Sequence, residues 1–333
     1  MLWSRDGGFH DSVGFNILSI LMMKKTILLM VLALAAMAQG SVTTLWVDGV
    51  SESGGWYDAN KVNPNEADGD NNLCWAASAS NLIAWWQDKY VVDASTPNTI
   101  DDIWGVFKSS ATADVGGDTG GAVQWWITGV YLPTNDEEAD RSMFGLYESS
   151  TLPAFEGYYY DQYGLDFYGG FNYDTWTWEN GVYDFLCPDY RNPNQISADN
   201  LIDLVGKGCG VGLSITDDAG TIGHAITLWG IEYDDETNAI SKLWLTDSDD
   251  AQYSWLNLDG LFAVDVKETD GKLYISTPGS TWYAENESIY VDGIFAIDPS
   301  VSTAWGLTAV PEPATASLSL LALAALAARR RRK

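Results

Sequence analysis

The chain changes its hydrophobic rhythm partway along, and that change limits its fold more than any other feature. From Cys74 to Tyr90 the apolar residues Trp75, Ala79, Leu82, Ile83 and Trp86 recur at helical spacing, with Asn71 or Asn72 placed to cap the run. A second helix is expected over Ile100–Lys108, and a third segment, 120–131, carries Trp125 and Trp126. Ser197 is placed to cap a short helix through Leu201, Leu204 and Val205, closed by Gly206 and Gly208. After it the rhythm turns to strands: 209–215, 223–232, 240–246, 261–266, 273–276 and 289–297, preceded far upstream by a strand candidate at 43–47. Helices first and an antiparallel sheet second is an α+β pattern. Residues 132–195, rich in Tyr, Asp, Gly and Asn, read as loops and short strands, and no internal repeat is visible.

At 333 residues, 46% hydrophobic and with 16 Trp, the chain has ample material for a packed core. Its net charge is −29, and between residues 39 and 310 the basic residues are only Lys61, Lys89, Lys108, Arg141, Arg191, Lys207, Lys242, Lys267 and Lys272. So acidic a body repels nucleic acid and anionic membrane, which excludes phosphate-backbone binding as a role.

Both termini read as addresses. Lys24 and Lys25 precede an apolar run, 26–35, and the small-x-small triplet Ala36-Met37-Ala38, so residues 23–38 form a signal peptide with cleavage after Ala38. Residues 1–22 then form an upstream extension outside the natural protein, and residues 39–309 form one domain. At the other end, Pro311-Glu312-Pro313, an apolar stretch over 314–328 and the basic cluster 329–333 resemble the PEP-CTERM sorting signal of Gram-negative bacteria. That resemblance makes 310–333 a sorting segment with transient membrane contact, and implies release to the cell envelope or exterior. A plain tail anchor is the alternative.

Reactive side chains are scarce enough to name in full. Beyond residue 38 the chain has three cysteines (74, 187 and 209) and one histidine, His224. A cysteine nucleophile needs a thiolate, and a helix N-terminus beside an imidazolium lowers the thiol pKa. Cys74 holds such a place, followed by the small residues Ala76, Ala77, Ser78 and Ala79. His224 opens an apolar strand, and the next strand ends at Asp247 and Asp249. Pairing Thr227 opposite Trp244 sets Asp247 near His224, where a carboxylate holds the ring in one tautomer. Taken singly, each residue has a bland reading: buried small hydrophobe for Cys74, structural histidine for His224, solvated turn or calcium loop for the aspartates, surface lysine for Lys61.

Ordered strings then add to this. Gly55-Trp-Tyr-Asp-Ala-Asn-Lys61, Asn72-Leu-Cys74-Trp-Ala-Ala-Ser-Ala-Ser-Asn81, Val123-Gln-Trp-Trp-Ile-Thr-Gly129, Gly212-Leu-Ser214, His224-Ala-Ile-Thr-Leu-Trp-Gly230 and Thr246-Asp-Ser-Asp249 resemble, in this order, the immunoglobulin-degrading cysteine proteases of streptococci, the IdeS/Mac type. The resemblance runs from about residue 54 to 297 and implies a papain-like fold. It implies Cys74 as nucleophile, His224 as base and then acid, Asp247 as the group orienting the imidazole, Asp249 as a second supporting carboxylate, and Lys61 as an oxyanion donor beside the Cys74 amide. The stretch between Lys61 and Cys74 is longer and more acidic than in those enzymes, which leaves the protein substrate open.

Other readings stay beside this one. One histidine and three scattered cysteines give no zinc spacing, and nothing in the sequence asks for a cofactor. Calcium at 65–72 or 247–250 and a disulfide between Cys187 and Cys209 are alternatives. A rival of another class is a non-catalytic surface module whose 16 Trp and 17 Tyr form a binding face.

Overall fold

A computed structural model describes residues 41–61, 70, 72–90, 92–110, 117, 119–128, 157–159, 171–172, 177–178, 186–187, 196–249, 260–276 and 288–299, together with positions 22 and 25. The expectations for the signal peptide, most of 132–195 and the sorting segment lie outside them, as do all but two of residues 61–71.

Strand β1 (Val42–Trp46) leads into helix α1 (Cys74–Gln87), then α2 (Ile100–Ser110) and α3 (Thr119–Thr128). Three two-residue strands follow, β2 (Phe171–Asn172), β3 (Thr177–Trp178) and β4 (Leu186–Cys187), then α4 (Ala198–Gly206). The second half is β5 (Gly210–Asp217), β6 (Gly223–Asp234), β7 (Ile240–Thr246), β8 (Phe262–Thr269), β9 (Lys272–Ser276) and β10 (Ile289–Ile297). The α+β architecture read from the sequence is the one observed.

Helix α1 is buried at every position from Trp75 to Gln87, as a helix apolar all round must be. It packs between α2 and α3 on one side and β5 and β6 on the other. Its small residues allow that approach, and so do glycines across from it: a Cβ on Gly210 would stand 2.6 Å from the Trp85 ring. Around the far end of α1, Trp86 meets Tyr159 edge to face and Phe107 stacks on Trp126, placing large apolar area in the core.

The sheet is antiparallel in every pairing described, and it closes. The order β6-β5-β10-β9-β8-β7 returns to β6 through the β6–β7 pairing, so six strands make a barrel. Strand β1 pairs with the far half of β6, on the edge that β5 uses for the near half. The sequence pattern showed the strands but not this closure.

Three local expectations are corrected. The N-cap position of α1 is Leu73, with no side-chain hydrogen bond, so Asn72 does not cap the helix. The helix ends at Gln87, and Lys89 and Tyr90 sit in turns that bond back to Trp86 and Gln87. The β6–β7 register sets Thr227 opposite Thr246, not Trp244, and shifts between Leu228 and Gly230. Ser197 caps α4 as the sequence indicates, accepting from the Asn200 amide at 3.2 Å.

The backbone register also removes the disulfide alternative. Cys187 pairs with Ala296 on one edge of β10, whereas Gly210, next to Cys209, pairs with Ile297 on the other. Two strand spacings separate them, roughly 9–10 Å, beyond the reach of a disulfide. Neither Cys74 nor Cys209 is in a disulfide.

Candidate active site

Helix α1, strand β6 and the turn after β7 converge on one point. Cys74 opens α1 and is partly exposed, unlike the thirteen residues that follow it. No side chain caps α1, so the amides of its first turn have no acceptor from Leu73, and Cys74 stands at the positive end of the helix dipole.

His224 enters from β6, where it is 7% exposed. Strand β7 pairs with β6 only as far as Thr246, so the edge of β6 beside His224 and Ala225 is left to other partners. Its Nε2 meets Asp247 Oδ1 at 2.7 Å, which leaves Nδ1 for the sulfur. Cys74 and His224 are hydrogen-bonded, and the Ala225 backbone also bonds the sulfur. Asp249 donates its amide to Asp247 Oδ1 at 3.0 Å, which fixes that carboxylate.

Lys61 is 2% exposed and ion-paired to Asp249. The Lys61 amide donates to the Ser248 carbonyl at 2.9 Å, tying the 57–61 segment to the turn after β7. Asp249 Oδ2 lies 4.0 Å from His224 Nδ1. All five residues singled out in the sequence therefore come together. Asp249 is ion-paired to Lys61 and lies farther from the imidazole than Asp247 does.

The electrostatics follow from this packing. Burial alone would push the Cys74 thiol up, but the His224 charge and hydrogen bond, the Lys61 ammonium and the Ala225 backbone together hold it below its ordinary 9.0. For His224, burial works against the imidazolium. The Asp247 carboxylate and the Cys74 sulfur outweigh it and raise the ring well above its ordinary 6.5. Both shifts run toward the thiolate–imidazolium pair that a thiol nucleophile requires. Donor atoms of His224, Asp247 and Asp249 lie within 4.8 Å of one another and form one potential metal-ligating group. A cation there would compete with the Lys61 ammonium for Asp249 and with the imidazole for Asp247.

The sequence reading gave no role to Ser78, Asn81, Thr227 and Thr246, which are buried beneath the site. Their signal was present as polar residues on otherwise apolar elements, Ser78 and Asn81 at four and seven residues after Cys74 along one helix face.

An α+β protein with a cysteine–histidine–carboxylate cluster between helix and barrel defines the class, and comparison with known proteins narrows it. Residues 38–100 match the family described as Mac 1, a span that includes Lys61 and Cys74. Residues 309–333 match the PEP-CTERM protein-sorting motif. The chain is also similar to the IgM protease of Streptococcus suis (strain P1/7), 25% identical over 229 residues, covering 60% of this chain and 18% of that protein. It therefore spans less than a fifth of that relative's length. The similarity to IdeS/Mac-type proteins is shown, and the sorting motif marks an exported protein of the bacterial cell envelope or exterior.

Proposed function

We propose that this chain is an exported cysteine endopeptidase with a papain-like fold, its domain at 39–309 lying between a signal peptide and the sorting segment. The observation that carries the reading is His224, bonded to Asp247 through one ring nitrogen and to Cys74 on its other side, with the thiol drawn down and the imidazole raised. The packing of a long buried helix against an antiparallel barrel, with the nucleophile at the helix start, supports the papain-like assignment.

In this reading the Cys74 thiolate attacks the scissile carbonyl carbon, and the carbonyl oxygen takes up the negative charge. The Cys74 amide and the Lys61 ammonium stabilise that oxyanion, each such donor being worth about 3–4 kcal/mol. As the carbonyl re-forms, the C–N bond breaks and the His224 imidazolium gives its proton to the leaving amine, leaving a Cys74 thioester. Neutral His224 then takes a proton from water, the hydroxide displaces the thiolate, and the imidazolium is restored. Asp247 holds the ring and its charge throughout. Asp249 keeps Lys61 in place between turnovers. The substrate is a protein, in keeping with the protease relative.

Profiling of new protein termini with wild type and Cys74→Ala checks this: wild type should generate cleavage products that the variant does not. Identical profiles on every protein mixture would favour the rival, a Trp/Tyr-rich binding module on the same scaffold.

A further inference from the structure

The site draws on four separated stretches of chain, and one buried polar cluster ties all four together. Asn81 Oδ1 accepts the Ala59 amide at 2.7 Å, two residues before Lys61. Its Nδ2 donates to Thr227 Oγ1 at 3.1 Å, on the strand that carries His224. It also donates to Thr246 Oγ1 at 3.4 Å, the residue before Asp247. The Ala59 N–H must face an oxygen, which fixes which amide atom points where. Thr246 Oγ1 in turn donates to the Tyr57 carbonyl at 2.9 Å and accepts Trp229 Nε1 at 2.8 Å. With the Asn81 bond, this hydroxyl uses its one proton and both lone pairs. Thr227 donates to Ser78 Oγ at 3.2 Å, and Ser78 to the Ile226 carbonyl at 3.1 Å.

Packing alone does not require these groups. Valine has the shape of threonine, so a hydroxyl at 246 or 227 adds direction, not volume. Direction is what the site lacks elsewhere. The β6–β7 ladder stops at Thr246, so Asp247 and Asp249 are carried by a turn. Residues 57–60, which lead to Lys61, belong to no helix or strand. Thr246 and Asn81 fasten both irregular segments to α1 and β6, and Asn81, Thr227 and Thr246 are 1%, 0% and 1% exposed.

We infer that Thr246 and Asn81 are positioning residues for the reaction, holding Asp247 and the Lys61 segment at fixed distances from Cys74 and His224. The inference rests on the reading of Cys74 as the nucleophile. Thr246→Val keeps the shape and deletes three hydrogen bonds, whereas Thr246→Ser keeps the hydroxyl. The readouts are the pH dependence of Cys74 alkylation by iodoacetamide in the folded protein and the melting temperature. Thr246→Val should slow alkylation at neutral pH by about 10- to 100-fold, the size of effect a small misplacement produces, and move the acid limb toward that of free cysteine. Thr246→Ser should return both toward wild type. A Thr246→Val protein that melts lower but alkylates with the wild-type profile overturns the inference, because the cluster is then structural only. Should Thr246→Val not fold, Thr227→Val removes one bond of the same amide and is read by the same two outcomes at smaller size. A wild-type protein alkylated no faster than free cysteine speaks instead against Cys74 as nucleophile, so the two failures are distinguishable.

Discussion

The two ends of helix α1 are both polar, yet they are built on opposite plans. At the far end Gln87, 2% exposed, accepts Trp126 Nε1 at 2.9 Å and the Tyr159 hydroxyl at 2.8 Å, and donates to the Pro97 carbonyl at 2.7 Å. Every partner there is neutral, and aromatic rings close the cluster off. At the near end the groups are ionisable: Lys61 and His224 face Asp247, Asp249 and the Cys74 thiol, on a residue that is itself partly exposed. Neutral bonds in a closed core contribute to stability, because a partner left unsatisfied carries a desolvation penalty. Charges gathered beside a sulfur contribute to reactivity, because they set which protonation states exist. Perturbing either end should therefore move different observables.

The largest effects belong to the charged end. Asp247→Asn removes the carboxylate that supports the imidazolium, so the His224 pKa falls and the alkaline limb of the kcat/KM profile moves down. A weaker imidazolium supports the thiolate less, so the thiol pKa rises and the acid limb moves up. The wild-type bell should thus extend from below the ordinary thiol value to above the ordinary imidazole value and narrow from both sides in the variant. Its maximum should drop by about 100-fold or more, within the range known for triad carboxylates. A variant with an unchanged bell would show that Asp247 only fills space.

Lys61→Met comes next. It should lower kcat by about 100- to 1,000-fold with little change in KM, as expected for a donor acting on the oxyanion. Because it leaves Asp249 without its ammonium, Lys61→Met with Asp249→Asn removes the stranded charge. Recovery of activity in that double variant would assign Lys61 a purely structural place.

The smallest effect on catalysis is expected at the neutral end. Gln87→Leu strands the Trp126 and Tyr159 donors and should lower unfolding free energy by about 2 kcal/mol, measured by urea denaturation, while the alkylation rate of Cys74 stays at its wild-type value. A matching loss of reactivity would erase the contrast between the two ends.

How legible this was in the sequence differs between the same parts. Cys74 and His224 could be found because their types are rare: one histidine beyond residue 38 leaves Cys74 a single imidazole partner, whereas Lys61 came only from the resemblance to the IdeS/Mac type. Strand ends marked Asp247 and Asp249 for the same site. The register between those strands was not legible, since it depends on an irregularity at Trp229 that hydrophobic alternation does not encode. Barrel closure escaped for a related reason, because it rests on β6 pairing along both edges. The positioning cluster left only a faint mark, a serine and an asparagine on a buried helix and two threonines on buried strands. Their partners are 146 and 165 residues away from Asn81, so only the fold reveals the bonds.

The central claim is that His224 is an imidazolium at neutral pH because Asp247 and the Cys74 thiolate hold it so. The 39–309 domain gives a single set of imidazole resonances, because beyond residue 38 the one histidine in the sequence is His224. A pH titration of its ring nitrogens by NMR should show both protonated at pH 7, with the transition well above 6.5 and falling in Cys74→Ala. A ring that is neutral at pH 7 and titrates at or below 6.5 would contradict the account.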